Sequence, residues 1–69
     1  MIERIVIFLI RRKLGLKKHE EFKFIGQKTP DVYYFTSTQL RKEMFGVDVK
    51  SGVSLNYLLS DECEIRKLA

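Results

Sequence analysis

The sequence predicts a small α+β protein: an N-terminal helix packed on a small antiparallel sheet of three to four strands, with a short helix before the C-terminal strand. Three observations predict this fold class. The N-terminal segment repeats apolar residues at helical spacing, the middle of the chain alternates between apolar and polar residues, and a serine-capped leucine cluster follows. The 69 residues suffice for one domain, with residues 1–16 as an amphipathic helix and residues 20–69 as the α+β body.

The N-terminal helix is predicted over residues 1–16, which read MIERIVIFLIRRKLGL. Two apolar stripes recur at helical spacing on neighbouring faces. They consist of Ile2, Ile5, Val6 and Leu9 in the first stripe, and of Ile7, Ile10 and Leu14 in the second. Basic residues near the end suit the helix dipole, and Gly15 suits a helix stop. A buried strand over residues 5–10 is the alternative, because that segment is rich in β-branched residues.

The second stripe raises the first functional question. The first stripe alone is enough to seat a helix on a core, so the second is either buried too or exposed to a partner or a second copy of the chain. In the exposed case, an apolar centre is edged by positive charge. The predicted partner-binding residues are then Ile7, Ile10 and Leu14 at the centre, with Arg11, Arg12 and Lys13 at the rim.

An antiparallel hairpin is predicted from two short runs joined by turn chemistry. Residues 21–26 (EFKFIG) alternate, residues 32–36 (VYYFT) are β-branched and aromatic, and GQKTPD lies between them. Phe22 and Phe24 share one face of the first strand. The residues that face them are either Val32, Tyr34 and Thr36 or Tyr33 and Phe35, and the pattern leaves this register open.

The segment after the hairpin has two interpretations. Residues 36–45 (TSTQLRKEMF) form either a short helix capped by Ser37 or Thr38, or a third strand through Leu40–Phe45. Val47–Lys50 alternates and is predicted to form a brief strand.

The C-terminal part predicts a short helix and a last strand. In residues 53–59 (VSLNYLL), Ser54 is the expected N-cap, and the three leucines form the buried side. Residues 63–68 (CEIRKL) alternate, so we expect a terminal strand beside one strand of the hairpin.

The net charge of +4 is concentrated at the N-terminus. Residues 1–18 hold six basic residues and one acid, whereas residues 19–69 hold seven basic and eight acidic residues. A localised basic patch suits phosphates or an acidic protein surface. If the partner is a nucleic acid, the contacts combine this patch with aromatic rings that stack on bases. The residues for that alternative are Arg11, Arg12, Lys13, Lys17, Lys18, Tyr33 and Tyr34.

The residue inventory predicts no catalytic site. Cys63 and His19 are the single cysteine and the single histidine, and they lie far apart without a third group to orient them. Zinc spacing and a glycine-rich phosphate loop are both absent from the sequence, so we predict no metal and no cofactor. A free cysteine without an export signal indicates the cytoplasm. The uncharged apolar run at residues 5–10 is far below the ~20 residues of a membrane span, so a membrane is not the expected partner.

Two resemblances add a context. Residues 52–59 (GVSLNYLL) resemble the last helix of Cro-type helix-turn-helix domains, although the chain before them predicts strands instead of a DNA-reading helix pair. Phe22–Phe24, Tyr33–Phe35 and Ser54–Ile65 resemble, in kind and order, small uncharacterised proteins of phages and prophages of Gram-positive bacteria. That resemblance implies a phage product that binds, and inhibits or redirects, a host or defence protein in the bacterial cytoplasm. The sequence therefore predicts non-catalytic protein binding, with homo-oligomerisation through the same helix compatible and nucleic-acid binding as the alternative.

Overall fold

The computed structural model describes residues 2–68, so Met1, which the sequence assigns to the helix, lies outside the described residues, as does Ala69. The described part is an α+β fold with two helices and one five-stranded sheet, one strand more than the largest number predicted. The elements are α1 (Ile2–Leu14), β1 (Phe22–Phe24), β2 (Val32–Phe35), β3 (Leu40–Met44), β4 (Val47–Lys50), α2 (Leu55–Leu59) and β5 (Ile65–Lys67).

The sheet has the order β4-β3-β2-β1-β5, and every neighbouring pair is antiparallel. The predicted hairpin is confirmed, with Phe22 opposite Tyr33. This register places Tyr33 and Phe35 on the same face as Phe22, and all three are buried there. The terminal strand β5 is also confirmed and pairs with β1, where Lys67 lies opposite Phe22.

Residues 36–45 form a turn and a strand, which rejects the helix alternative. The hydroxyl of Thr36 accepts hydrogen bonds from the amides of Thr38 at 3.3 Å and Gln39 at 3.2 Å, which closes a tight turn before β3. The next turn contains Phe45 at φ 53° and Gly46 at φ 81°, both left-handed. Two successive left-handed residues are typical of the two-residue hairpin turn that matches the twist of antiparallel strands.

Helix α1 ends where the sequence predicts a stop. Gly15 adopts φ 71°, which glycine reaches without steric cost. The amide of Leu16 donates to the carbonyl of Arg11 at 2.8 Å, and the amide of Gly15 donates to that of Arg12 at 3.2 Å. This is a Schellman arrangement, and it leaves Leu16 outside the helix but buried against the core.

The orientation of α1 differs from the expectation that its first stripe seats it on the core. Ile7 and Ile10 are the buried residues, with 2% and 0% of their surface exposed, and Leu14 packs beside them. The sheet offers a single face of buried aromatic rings, so the helix can bury one stripe against it, and the second stripe takes that place. Of the first stripe, Val6 alone packs partly against the core.

The short helix α2 lies beside α1. Its predicted N-cap is confirmed, because the Ser54 hydroxyl accepts a hydrogen bond from the amide of Tyr57 at 3.1 Å. At its other end, Lys13 Nζ donates to the carbonyls of Leu58 at 3.2 Å and Ser60 at 2.7 Å, where a cation satisfies free helix carbonyls. Leu58 is the one leucine of α2 that is buried, whereas all three were expected to be.

Candidate binding surfaces on the N-terminal helix

The predicted centre of the partner contact lies in the hydrophobic core. Ile7 and Ile10 have almost no exposed surface, and Leu14 is half-buried against the same cluster. A partner cannot reach these side chains while α1 is packed on the sheet. The proposed contact at this stripe is therefore wrong in its location, because its residues already hold the helix on the fold.

The exposed apolar side chains of α1 belong to the other stripe. Ile2, Ile5 and Leu9 expose 75%, 62% and 53% of their surface, and they follow i, i+3, i+7 spacing on the side opposite the core. We call these three residues the apolar strip. Large aliphatic side chains that share one helix face and remain in water favour association, because contact removes that surface from solvent.

Helix α2, which Lys13 joins to α1, also has exposed apolar side chains. Lys13 reaches the end of α2 from the side of α1 that also carries Leu9, four residues earlier. A cavity of about 210 Å³ is lined by Glu3 and Ile7 of α1, by Leu55 and Leu58 of α2, and by Thr38, Gln39, Leu40, Lys50, Ser51 and Val53. The side chains of Leu55 and Leu59 on α2 are exposed, so both neighbouring helices present leucine or isoleucine to solvent.

The three predicted rim cations take different positions. Lys13 is bound to the end of α2 through its two carbonyl hydrogen bonds. Arg12 is exposed on the solvent side of α1, whereas Arg11 is half-buried. The guanidinium of Arg11 lies 5.9 Å from the centre of the Phe8 ring, within the range of a cation–π contact. Only the two arginines therefore remain available to a partner.

A second surface lies at the C-terminal end of α1, and we call it the basic basin. It is an open depression of about 390 Å³. Its lining combines cationic side chains with an aromatic ring. The lining residues are Phe8, Arg11, Arg12, Leu16, Lys17 and Lys18. Four of the five cations predicted to contact nucleic acid therefore do lie together.

The two tyrosines predicted to stack on bases do not join these cations. Tyr33 is buried, and its ring centre lies 4.7 Å from that of Phe24 in the core. Tyr34 points to the sheet face opposite α1, because side chains alternate along β2. Its hydroxyl donates to the Asp48 carboxylate, which also accepts from Arg41 Nε at 2.7 Å. The aromatic partner of the cations is instead Phe8.

The cluster of Tyr34, Arg41 and Asp48 joins three strands by polar contacts. The hydrogen bond from Tyr34 and then the pair with Arg41 hold the pKa of Asp48 below its ordinary value. The same hydrogen bond raises the pKa of Tyr34. A carboxylate that is hard to protonate and a phenol that is hard to deprotonate are poor proton-transfer groups near neutral pH, so this cluster has the chemistry of a structural clamp.

Cys63 has little nucleophilic character in this fold. It is buried, and burial raises the pKa of its thiol, with the positive charge of Lys13 opposing the shift. Across residues 2–68, no group of three or more His, Cys, Asp or Glu side chains is placed to hold a metal ion. No helix within the same range is both long and apolar enough to cross a membrane.

The spacing of Phe8 was the signal that could have located the basin. Arg11 and Arg12 follow Phe8 by three and four residues, so all three share one side of a helix. The order of the basic residues along the chain does not show this shared side, and the tyrosines predicted to accompany them lie elsewhere in the fold.

Comparison of the chain with protein-family models, curated proteins and solved structures found no match.

Proposed function

We propose that this protein is a non-catalytic binding protein that docks on another protein through the apolar strip of Ile2, Ile5 and Leu9. The observation that supports the proposal is the exposure of this strip on a helix whose opposite side already fills the core. Because the strip has no role in holding α1 on the sheet, its apolar character is explained by contact outside the fold. With the resemblance to phage proteins, the proposed role is inhibition or redirection of a bacterial host or defence protein in the cytoplasm.

The charges around the strip indicate the chemistry of the partner. Arg12 is exposed on α1 next to the strip, three residues after Leu9 and seven after Ile5, whereas Glu3 lies by the cavity near Ile7. On α1 the border of the strip therefore carries a cation and no carboxylate, so a second copy of this chain would meet it with like charge. The partner is therefore another protein, whose apolar contact surface is bordered by Asp or Glu side chains.

The test is affinity capture from nuclease-treated bacterial lysate with three forms of the tagged protein. They are the wild type, the strip variant Ile5→Gln with Leu9→Gln, and a control with Ile25→Gln and Val47→Gln. The control residues are equally exposed but lie away from α1, and both variants preserve the net charge. We expect one discrete protein that the wild type and the control retain and the strip variant loses.

Two results would contradict the proposal. The strip variant could capture the same protein as the wild type, which places the contact elsewhere. Alternatively, sedimentation could show that the wild type is an oligomer and that the strip variant is a monomer, which assigns the strip to self-association.

A further inference from the structure

The basic basin combines four cations with an accessible ring. The side chains of Arg11, Arg12, Lys17 and Lys18 line it, and none of them forms an ion pair with another residue in the described range 2–68. By contrast, Arg41 and Lys42 are neutralised by Asp48 and Asp31 elsewhere in the fold. The basin is therefore a region of uncompensated positive charge.

The carboxylate that follows the basin cations along the chain, that of Glu20, interacts with other groups than their side-chain charges. Glu20 Oε1 accepts a hydrogen bond from the backbone amide of Lys17 at 2.8 Å, and its Oε2 lies 3.9 Å from Lys67 Nζ. The C-terminal end of α1 carries partial negative charge, which opposes an anion there. However, the carbonyls of Arg11 and Arg12 are already occupied by the amides that end the helix. Four full positive charges outweigh this remaining partial charge.

The Phe8 ring in the basin supplies a surface for stacking. Phe8 exposes 51% of its surface, and the Arg11 guanidinium lies near its ring. The Nε of Arg11 is buried and has no hydrogen-bond partner within the described residues. The guanidinium is therefore positioned by packing against neighbouring side chains and not by a hydrogen bond to Nε. An exposed ring surrounded by cations fits a planar, electron-rich base attached to a phosphate.

We propose that the basic basin binds single-stranded nucleic acid, with a base stacked on Phe8 and neighbouring phosphates held by Arg12, Lys17 and Lys18. This activity goes beyond protein docking and uses the neighbouring side of α1, with Arg12 at the border of the two surfaces. In a duplex, the faces of the bases are covered by their neighbours, so a stacking residue can act only on an unpaired base. The polar side chains that line the basin are all cations, which we assign to phosphates, and no Asn, Gln, Ser or Thr side chain lines it, so binding is expected to tolerate different sequences.

The geometry favours nucleic acid over an anionic membrane. A helix that lies on a lipid surface buries its apolar face between flanking cations. Here the basin cations lie to one side of the apolar strip. The other side is bordered by α2 and by Lys13, whose ammonium group is already hydrogen-bonded to the end of α2. The aromatic ring is among the cations, where a base and its phosphates would meet both.

The experiment measures fluorescence anisotropy of a labelled single strand of about a dozen thymidylates, against a duplex of equal length. Phe8→Leu removes the ring and keeps an apolar side chain, and we expect it to weaken binding by about tenfold. Arg12→Gln with Lys18→Gln is expected to weaken binding and to reduce the slope of log affinity against log salt by about 1.4. The matched control, Lys28→Gln with Lys50→Gln, removes the same charge from exposed sites elsewhere and is expected to change affinity by less than about twofold.

Several outcomes would overturn the proposal. The control could weaken binding as much as the basin variant, the duplex could bind more tightly than the single strand, or Phe8→Leu could leave affinity unchanged. Binding to vesicles rich in anionic phospholipid, without binding to the oligonucleotide, would assign the surface to membranes. Circular dichroism checks that each variant folds. The strip variant Ile5→Gln with Leu9→Gln should still bind the oligonucleotide, so failure of protein docking and failure of this proposal are distinguishable.

Discussion

Phe45 has two unfavourable features at a single residue. It exposes 85% of its surface, and it adopts a left-handed φ of 53° that bulky side chains rarely take. The turn that joins β3 to β4 needs this backbone conformation at both of its central positions, and Gly46 fills only the second. The fold therefore keeps a strained, exposed phenylalanine where asparagine is the usual residue.

We expect Phe45→Asn to stabilise the protein by about 1 kcal/mol, because asparagine tolerates the left-handed region and little buried surface is lost. For a chain of this size, that change raises the melting temperature by roughly 4–8 °C. Denaturant unfolding and thermal unfolding followed by circular dichroism measure both quantities. Phe45→Val is the opposite case, since a β-branched residue at this φ should destabilise the turn. A Phe45→Asn variant no more stable than the wild type would show that the ring is held by the fold.

At the scale of elements, α1 shows what a sequence can and cannot decide. The helix and its stop at Gly15 were predictable, because spacing and a left-handed glycine are local signals. The buried face was not predictable, since both stripes satisfy helical spacing equally well. Which stripe is buried depends on the position of the sheet and of α2, and both come from residues far along the chain.

Neighbouring residues on α1 provide a direct test of this orientation. Ile10→Ala is expected to lower the free energy of unfolding by about 2–5 kcal/mol, because it leaves a cavity in the core. Leu9→Ala removes the same number of carbon atoms from an exposed site and should change the free energy by less than about 0.5 kcal/mol. Urea unfolding of the two variants measures the difference. Equal losses, or a larger loss for Leu9→Ala, would mean that α1 packs through its other face.

The strand β3 also shows the limit of local information. Its sequence, LRKEM, is mostly charged and lacks a clear alternation, so the helix and strand alternatives were balanced. The structure pairs it on both sides, with Phe35 opposite Leu40 and Val47 opposite Met44. Backbone pairing with two neighbours, supplied by the hairpin before it and the turn after it, overrides weak local preference.

At the scale of the whole molecule, the sheet is joined across strands by side chains on the face away from α1. Tyr34 on β2, Arg41 on β3 and Asp48 on β4 meet there. The cluster was not predictable, because it depends on the antiparallel register that places Tyr34 opposite Arg41. The proposed binding surfaces were partly predictable: the basic end of α1 follows from composition, and the place of Phe8 beside Arg11 and Arg12 follows from helical spacing, whereas the exposed side of α1 follows from packing.

This cluster makes folding stability depend on pH at both ends of the range. The lowered pKa of Asp48 adds stability above its unfolded-state pKa, and this stability is lost as the pH falls through the folded-state value. The raised pKa of Tyr34 adds stability below its unfolded-state pKa, which is lost as the pH rises through the folded-state value. We expect Asp48→Asn to reduce both losses in chemical unfolding measured across pH.

In Asp48→Asn, part of the loss of folding stability at alkaline pH should remain, because burial also raises the pKa of Cys63. Cys63→Ala in the same background isolates that contribution. Two results would contradict this expectation: Asp48→Asn could leave the loss of stability in acid unchanged, or the phenol absorbance that Tyr34→Phe removes could titrate at the ordinary pKa of tyrosine.

The strand order has one more consequence, which concerns how molecules behave when they are crowded together. Within residues 2–68, strand β4 is at one edge of the sheet, so one row of its backbone amides and carbonyls has no neighbouring strand there. Such an edge is a template for a strand of another molecule, and charged side chains are the usual protection against it. Asp48 and Lys50 provide that protection here. Along the chain they follow the exposed Phe45 and Val47 and precede Ser51. Protonation of Asp48 in acid therefore has two effects. It weakens the polar cluster within one molecule, and it removes a charge that opposes the pairing of two molecules into a continuous β-sheet.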